Sequence, residues 1–403
     1  DSISREAVEK VADEIDLDMV YTGEDVPEFA ESFESFSDSN PERPDVSVAH
    51  DDPSVMLYSS GTTGDPKGIP LDHECTADRW IINSLGQHYY IEETLIGVMP
   101  LYHTVGLHGI LCGLLSMSGT YLCMSQFDPE TAVRAIEEHQ VTALHEAPTI
   151  FANMLDSDAI EETDLSSVKA IGYSGAPMSQ SIFDRTIETF EPDHIANLYG
   201  TTEVYGTLAY LDLHDIGDPT VTGPANVGIE TRVLEVGTND PTARVEPGTQ
   251  GELVVNTDSS VSFDGYWNKP EATAEAIHDG WLFTGDAARL TEEKRIIITG
   301  RVDDMIISGG ENIHPTEVED VLITHPAVAD VGVVGHPDDE WGSIVVAYVE
   351  RRGDATADEL DQWCIDSDDL ADYKRPREYR FVDELPRNPS GKIERYKLTS
   401  DDA

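Results

Sequence analysis

The chain has 403 residues, enough for two or three domains, and its 39% of apolar residues suffices for sizeable cores. Acidic residues number 79 against 25 basic ones, a formal net charge of −54, and such a field repels nucleic-acid phosphate and anionic membrane alike. Five Trp, fifteen Tyr and ten Phe, with the acid dispersed rather than blocked, exclude an acidic disordered chain. The charge implies a surface adapted to a high-salt cytosol, where a screening length of about 3 Å near 1 M salt relieves carboxylate repulsion. The four cysteines form no CxxC pair and no metal-ligand spacing, which fits a reduced, cytoplasmic setting.

In chain order, "AVEKVADEI" reads as helix and "LDMVYTG" as strand, followed by a surface loop "ESFESFSDSNPERPDVSVAHDDP". "SVMLYS" reads as the strand before a Gly-rich turn. The stretch "GVMPLYHTVGLHGILCGLLSMSGTYLCM" is the most apolar of the chain, yet it carries two histidines and five glycines. It predicts a buried helix between strands rather than a membrane span. "FDPETAVRAIEEHQ" is a helix with Asp128 as N-cap and Pro129 at its first position. "VTALHEAPT", "VKAIGYSG" and "HIANLY" read as strands, with "SQSIFDRTIETF" as the helix between the last two. This alternation predicts βαβ units and a largely parallel sheet with ligand loops at its strand ends. From about residue 215 to 300, "TRVLEV", "GELVVNT" and "KRIIITG" are short strands between Gly and Pro turns, a small β-rich subdomain. After Arg301 comes a compact α+β tail: helix "TEVEDVLITHP", strands "VADVGVVG" and "SIVVAYVE", helix "TADELDQWCID" and strand "REYRFVD". The fold class is therefore α/β, with a large N-terminal domain (1–301) of layered sheets and helices and a small α+β C-terminal domain (302–403).

In "SSGTTGDPKG", Gly61, Gly64 and Gly68 permit close backbone approach, Ser59, Ser60, Thr62 and Thr63 offer hydroxyls, and Lys67 adds a point charge. The spacing is not GxxxxGK[ST], so this is a phosphate loop of another kind than the kinase P-loop.

"YSSGTTGDPKGI", "NLYGTTE", "DGYWNKPEAT", "WLFTGD", "GRVDDMIISGGENIHPTEVE" and "PRNPSGKI" follow in that order across nearly the whole chain. Together they resemble the signature motifs of the AMP-forming adenylating enzymes, which include acyl- and aryl-CoA synthetases, luciferases and peptide-synthetase adenylation domains. The tail motifs and "MPLYHTVGLHG" are most similar to those of chlorobenzoate–CoA ligases. The resemblance implies ATP, Mg²⁺ and coenzyme A as cofactors and a small carboxylic acid as substrate; the net charge argues against nucleic acid and the apolar stretch against membrane insertion, and a homodimer stays open.

Adenylation joins two anions, so it needs charge neutralised along the triphosphate, a divalent cation and a water-poor site. The resemblance assigns Glu203 to Mg²⁺, a role its hard oxygens suit. It places Thr202 on the α-phosphate and Tyr199 against adenine, with Asn197 and the loop Gly175, Ala176, Pro177 along the base edge. Asp286 would accept from the ribose hydroxyls and Arg301 would hold the same sugar. Lys392 would be the catalytic lysine bridging substrate carboxylate and α-phosphate; it is one of only eight lysines. Asp303 matches the hinge about which a mobile last domain rotates between adenylating and thioester-forming poses. Gly309 and Gly310 would then pass the pantetheine arm, while Trp341, Tyr373, Arg375 and Arg377 match contacts to the CoA nucleotide.

The acyl pocket implied by resemblance is lined by Thr104, Val105, His145, Leu198, Gly200, Tyr205 and Gly206, and gated by His103, which is grouped with the catalytic residues. His145 and Tyr205 stand where chlorobenzoate ligases carry apolar side chains. That predicts a more polar or shorter cavity and argues against a halogenated benzoate; His145 is equally open to being a satisfied core histidine. About sixty residues precede the phosphate loop, where the family carries a longer block, so the chain is expected either to be a fragment or to lack part of its first subdomain. The resulting expectation is an ATP-dependent acid–thiol ligase that forms an acyl-AMP and then an acyl-CoA, on an aryl or short- to medium-chain acid. The alternatives are a fatty-acyl or amino-acid adenylating enzyme loading a carrier protein, and a non-catalytic nucleotide-binding relic.

Overall fold

The computed structural model describes residues 20–21, 26–27, 30–37, 45–59, 66–87, 91–124, 126–204, 207–214, 216–367, 369–387 and 393–399. It divides into two compact units, Asp1–Ala49 and His50–Ala403. In the first, strands Val20–Tyr21 and Glu31–Ser32 pair in parallel and lead into a short helix, Phe33–Ser37. The expected helix "AVEKVADEI" lies outside the described residues. Part of the expected surface loop is thus structured: Ser32 Oγ accepts the Ser35 N–H at 3.1 Å, a serine capping geometry that starts a helical turn.

The second unit begins with a hairpin of β1 (Pro53–Ser59) and β2 (Lys67–Asp72), followed by helix α1 (His73–Gly86). Asp72 caps α1 by accepting the Cys75 N–H at 2.7 Å. Then come β3 (Thr94–Gly97), a helical segment α2 (Val105–Cys112 running into Gly113–Ser116) and β4 (Thr120–Cys123). The apolar stretch is indeed a helix between strands, but its first turns are wide π-turns. Gly106 explains the close docking: a Cβ there would lie 2.3 Å from the Pro100 carbonyl oxygen. Among the described residues no helix is long and apolar enough to cross a membrane.

Next follow α3 (Pro129–His139), β5 (Ala143–Glu146), α4 (Pro148–Leu155), β6 (Ala170–Ser174), α5 (Gln180–Phe190), β7 (His194–Tyr199) and β8 (Ala209–Asp212). Asp128 caps α3 at the Thr131 N–H, with Pro129 at its first position, as expected. The strand read over "VTALHEAPT" stops at Glu146; Pro148, which fits the first turn of a helix, starts α4, an element the sequence reading missed.

These strands form a sheet in the order β8-β7-β6-β5-β3-β4, parallel except for β8. One face packs on α3, α4 and α5 through Val133, Ile136, Phe151, Ile171 and Phe183. The other packs on α2 through Leu95, Ile110 and Leu114. The chain leaves β3 for β4, then returns to the opposite side of β3 to lay down β5, β6 and β7. The carboxyl ends of β3 and β5 thus flank a topological switch point, where open α/β sheets bind ligands.

The β-rich portion forms a second, mostly antiparallel sheet of β9 (Val221–Gly223), β10 (Thr231–Leu234), β11 (Gln250–Asn256), β12 (Trp281–Leu290) and β13 (Ile296–Arg301), in the order β9-β13-β12-β11-β10. Its apolar face shares a core with the β1–β2 hairpin, joining Leu57, Ile69 and Leu71 to Leu253, Val255 and Leu282. Beyond Arg301, β14 (Ile306–Ser308), β15 (Glu311–Ile313), α6 (Pro315–Leu322), β16 (Val328–Asp338), β17 (Gly342–Arg351), α7 (Ala357–Asp366) and β18 (Glu378–Val382) enclose a core of their own around Val318, Val333, Val345 and Leu360.

Candidate active site

Two groups of side chains converge near the carboxyl end of β7. In the first, Asp286 on β12 stands directly opposite Arg301 on β13, and Arg301 Nη1 donates to Asp286 Oδ1 at 2.8 Å and to the Thr284 carbonyl at 2.8 Å. The second Asp286 oxygen accepts the Tyr199 hydroxyl. Burial on its own would lower the Arg301 pKa, but Asp286 outweighs it and the guanidinium is held more firmly charged. Burial, and then the Asp286 charge, pushes the Tyr199 phenol well above its ordinary value. Gly285 makes this approach feasible, since its φ is +69° and a Cβ would lie 2.6 Å from Arg301 Nη2.

The second group is built on Tyr266, from the "DGYWN" turn. Its hydroxyl donates to Glu203 Oε1 at 3.0 Å, and its ring lies under Lys67, whose Nζ is 4.8 Å from the ring centroid. Two backbone hydrogen bonds fix the turn: Trp267 N–H to the Gly68 carbonyl at 2.8 Å and Phe263 N–H to the Glu203 carbonyl at 2.9 Å. Lys67 and Glu203, far apart in sequence, thus share one aromatic support. Tyr266 carried no assigned role in the sequence reading, although its motif was the signal for it.

Ser59 ends β1 paired with Lys67 at the head of β2, so the Gly-rich loop closes an antiparallel hairpin rather than a strand-to-helix turn. Ser60, Gly61, Thr62, Thr63 and Gly64 lie outside the described residues, as do Tyr205, Gly206 and Lys392. Gly175, Ala176 and Pro177 form an exposed loop at the carboxyl end of β6, with Gly175 at φ +88°. Asn197 is engaged internally, its Nδ2 donating at 3.0 Å to the Pro219 carbonyl, which also accepts the Tyr173 hydroxyl at 2.9 Å. Thr202 and the exposed Gly200 follow β7 beside Glu203.

Of the residues expected to line or gate the acyl pocket, His103, Thr104, Val105 and His145 stand at the switch point, and Leu198 and Gly200 at the end of β7. His103 is half-buried, and its Nδ1 accepts the Val105 N–H at 3.3 Å. Burial, with a smaller contribution from Arg79, lowers its pKa. Thr104 is buried and Val105 half-buried at the start of α2. His145 is 3% exposed, with Nδ1 against Gln87 Oε1 and Nε2 3.0 Å from Ser174 Oγ. It lies over Gly172, where a Cβ would meet Leu198 Cδ1 at 2.9 Å and His145 Cγ at 3.4 Å. Both ring nitrogens are engaged, as a core histidine's would be, and burial, followed by Arg79, pushes the His145 pKa down to about 3. Arg79, Asn83 and Gln87 of the α1 region, which the sequence reading passed over, wall this region from the α2 side.

In the C-terminal part, Asp303 is exposed in the turn between β13 and β14. Gly309 has φ +60°, and its N–H donates to the Trp341 carbonyl at 2.9 Å beneath the half-exposed Trp341 ring. Arg377 Cζ lies 6.0 Å from that ring's centroid. Gly310, at φ +88°, faces open space. Tyr373 is exposed, whereas Arg375 is drawn to Asp361 on α7 rather than to Trp341. Trp341, Gly309 and Arg377 therefore assemble, while Arg375 pairs with Asp361.

The chain matches the family model "AMP-binding enzyme" over residues 2–267 and "AMP-binding enzyme C-terminal domain" over 317–392. It is 39% identical over 351 residues to a 4-chlorobenzoate–CoA ligase of an Arthrobacter species, covering 86% of this chain and 66% of the relative. It is 33% identical over 355 residues to a feruloyl-CoA synthase of an Amycolatopsis species, covering 87% and 70%. The chain thus spans about two thirds of the length of these relatives. Among solved structures, o-succinylbenzoate–CoA synthetase of Bacillus subtilis with its acyl-adenylate intermediate superposes at TM-score 0.81 and 28% identity, covering 93% of this chain and 74% of that one. With model matches over most of its length and two converging clusters at the ends of the sheet strands, the chain belongs to the AMP-binding enzyme family.

Proposed function

We propose that the protein is an AMP-forming acid–thiol ligase acting on an aryl or short- to medium-chain carboxylic acid. The observation that carries this reading is the pair of adjoining clusters, Asp286–Arg301–Tyr199 and Glu203–Tyr266–Lys67, which match a nucleoside at one end and a charged phosphate chain at the other. A substrate carboxylate oxygen attacks the α-phosphorus of ATP, the α–β bridge bond breaks and pyrophosphate leaves. The CoA sulfur then attacks the acyl carbon, the bond to the AMP oxygen breaks, AMP leaves and the thiol proton passes to solvent. Asp286 and Arg301 hold the ribose, Lys67 neutralises phosphate charge, and the neutral His103 screens the acid from water.

Mg²⁺ commonly takes one or two carboxylates plus phosphate oxygens and waters, and Glu203 suits that donor set, with one carboxylate oxygen already oriented by Tyr266. The cation supplies charge neutralisation on the triphosphate. Lys392 bridges carboxylate and α-phosphate, and Asp303 is the hinge that brings Gly309, Gly310 and Trp341 to the site for the second step. The aryl acids in the names of the relatives support an aryl substrate. The acidic surface supports a cytosol of high salt.

The test is pyrophosphate release from ATP with a panel of aromatic and aliphatic acids, for the wild type and Lys392→Ala. Release that Lys392→Ala abolishes, with thiol transfer from preformed adenylate largely retained, is the expected result. Equal loss of both steps refutes the role of Lys392, and no release with any acid points instead to a nucleotide-binding relic.

A further inference from the structure

The α1 helix is inverted relative to an ordinary surface helix. Ile81 and Leu85 are exposed, while Arg79, Asn83 and Gln87, spaced one turn apart at i, i+4 and i+8, are 3%, 0% and 5% exposed and face α2. Arg79 Nη2 donates to the Thr104 carbonyl at 3.2 Å, and Gln87 Nε2 to the Gly109 carbonyl at 3.3 Å. Asn83 Oδ1 accepts both the Thr207 N–H (3.2 Å) and the Thr207 hydroxyl (2.7 Å). This leaves the Asn83 Nδ2 donor and the Thr104 hydroxyl buried without a hydrogen-bond partner among the described residues. Gly109 sits at the centre of the ladder: a Cβ there would lie 3.2 Å from Arg79 Nη2 and 3.4 Å from Asn83 Nδ2, a tight approach to both side-chain ends.

The ladder lies against His103, Thr104 and His145, at the switch point between β3 and β5. An amide donor and a hydroxyl, both buried and unpartnered among the described residues, therefore stand where the resemblance places the acid's far end. Buried donors left unmade are costly, and a ligand that supplies the acceptor recovers that cost. A halogen or alkyl group accepts poorly and would leave both groups unmet.

We infer that Asn83 and Thr104 form a subsite for an oxygen acceptor, a second carboxylate or a carbonyl oxygen, carried by the acid on the end remote from its reacting carboxyl. This rests on the ligase reading above and names its substrate class. Such a site rejects the analogue lacking the acceptor more strongly than an apolar pocket discriminates by size.

The experiment is ATP–pyrophosphate exchange with matched acids, benzoate and 4-chlorobenzoate against carboxy- and acyl-substituted benzoates, and butanoate against succinate, paralleled by calorimetric binding of each acid. The expected result is kcat/KM at least ~tenfold higher for the acceptor-bearing member of the favoured pair. Asn83→Leu and the isosteric Thr104→Val should each shrink that ratio several-fold. Because two acids are compared on one preparation, partial misfolding of a variant cancels. Exchange that is equal or better with benzoate or chlorobenzoate overturns the subsite and leaves the ligase reading intact. If no acid supports exchange, the ligase reading fails, and the subsite stands or falls on whether calorimetry still ranks acceptor-bearing acids first.

Discussion

Arg301 and Asp286 are partners across adjacent antiparallel strands, and the 2.8 Å contact between Arg301 Nη1 and Asp286 Oδ1 also positions the Tyr199 hydroxyl on the other carboxylate oxygen. The trio proposed above as the nucleoside end of the site is thus held together by its own hydrogen bonds. Replacing Asp286 with Asn removes the negative charge and one of the two oxygens that accept from Arg301 and Tyr199. A lowered urea midpoint is expected, worth about 1–3 kcal/mol, with an unchanged m-value. ATP should bind at least ~tenfold more weakly by titration, since a charge-assisted contact is lost. Undiminished ATP affinity would rule out the ribose role.

Gly285→Ala tests the same pair without touching a charge. Alanine at φ +69° is strained, and its Cβ would collide with Arg301 Nη2 at 2.6 Å. The expected destabilisation is about 1–3 kcal/mol. Thermal denaturation at wild-type stability would show that Arg301 moves aside freely.

The acid limb of stability should carry a histidine signature. His145 titrates in the unfolded chain near 6.5 but in the folded chain only at about 3, held neutral first by burial and then by Arg79. Its contribution is therefore complete above about pH 6.5 and is lost as pH falls from there toward 3, by up to ~1.4 kcal/mol per pH unit. His108, lowered by burial to about 4, acts in the same window, whereas Asp320, raised by burial to about 6, gains stability as pH falls and offsets part of it. Urea midpoints at several values from pH 7 to 4 should fall less steeply in His145→Gln than in wild type. Parallel curves would contradict the burial of a neutral His145.

Trp341→Ala separates the two half-reactions. The ring is 46% exposed, so the fold should tolerate its loss. The KM for CoA should rise several-fold while ATP–pyrophosphate exchange stays near wild type. A matching loss of exchange would place Trp341 in the first step instead.

With 79 acidic against 25 basic residues, surface repulsion grows as salt is withdrawn. The screening length lengthens from about 3 Å at 1 M to about 30 Å at 0.01 M. The melting temperature should fall on dialysis from molar to millimolar salt, and a curve independent of salt would sink the high-salt reading.

The sequence by itself determined the elements whose signals are local. Asp128 followed by Pro129 sets the start of a helix because a carboxylate cap and a fixed φ act over a single turn. The alternation of strand and helix likewise announced the parallel sheet. The strand ending at Glu146 rather than running to Thr149 went the other way, because Pro148 serves a helix start as readily as a turn. The site was legible as motifs but not as contacts: nothing along the chain says that Tyr266 stands between Lys67 and Glu203. For α1 the pattern was readable but its sense was not, since a polar stripe opposite an apolar one is the same whichever face is buried. Only packing against α2 decided that Arg79, Asn83 and Gln87 turn inward and Ile81 and Leu85 outward, because burial is a property of what the rest of the chain places alongside a helix.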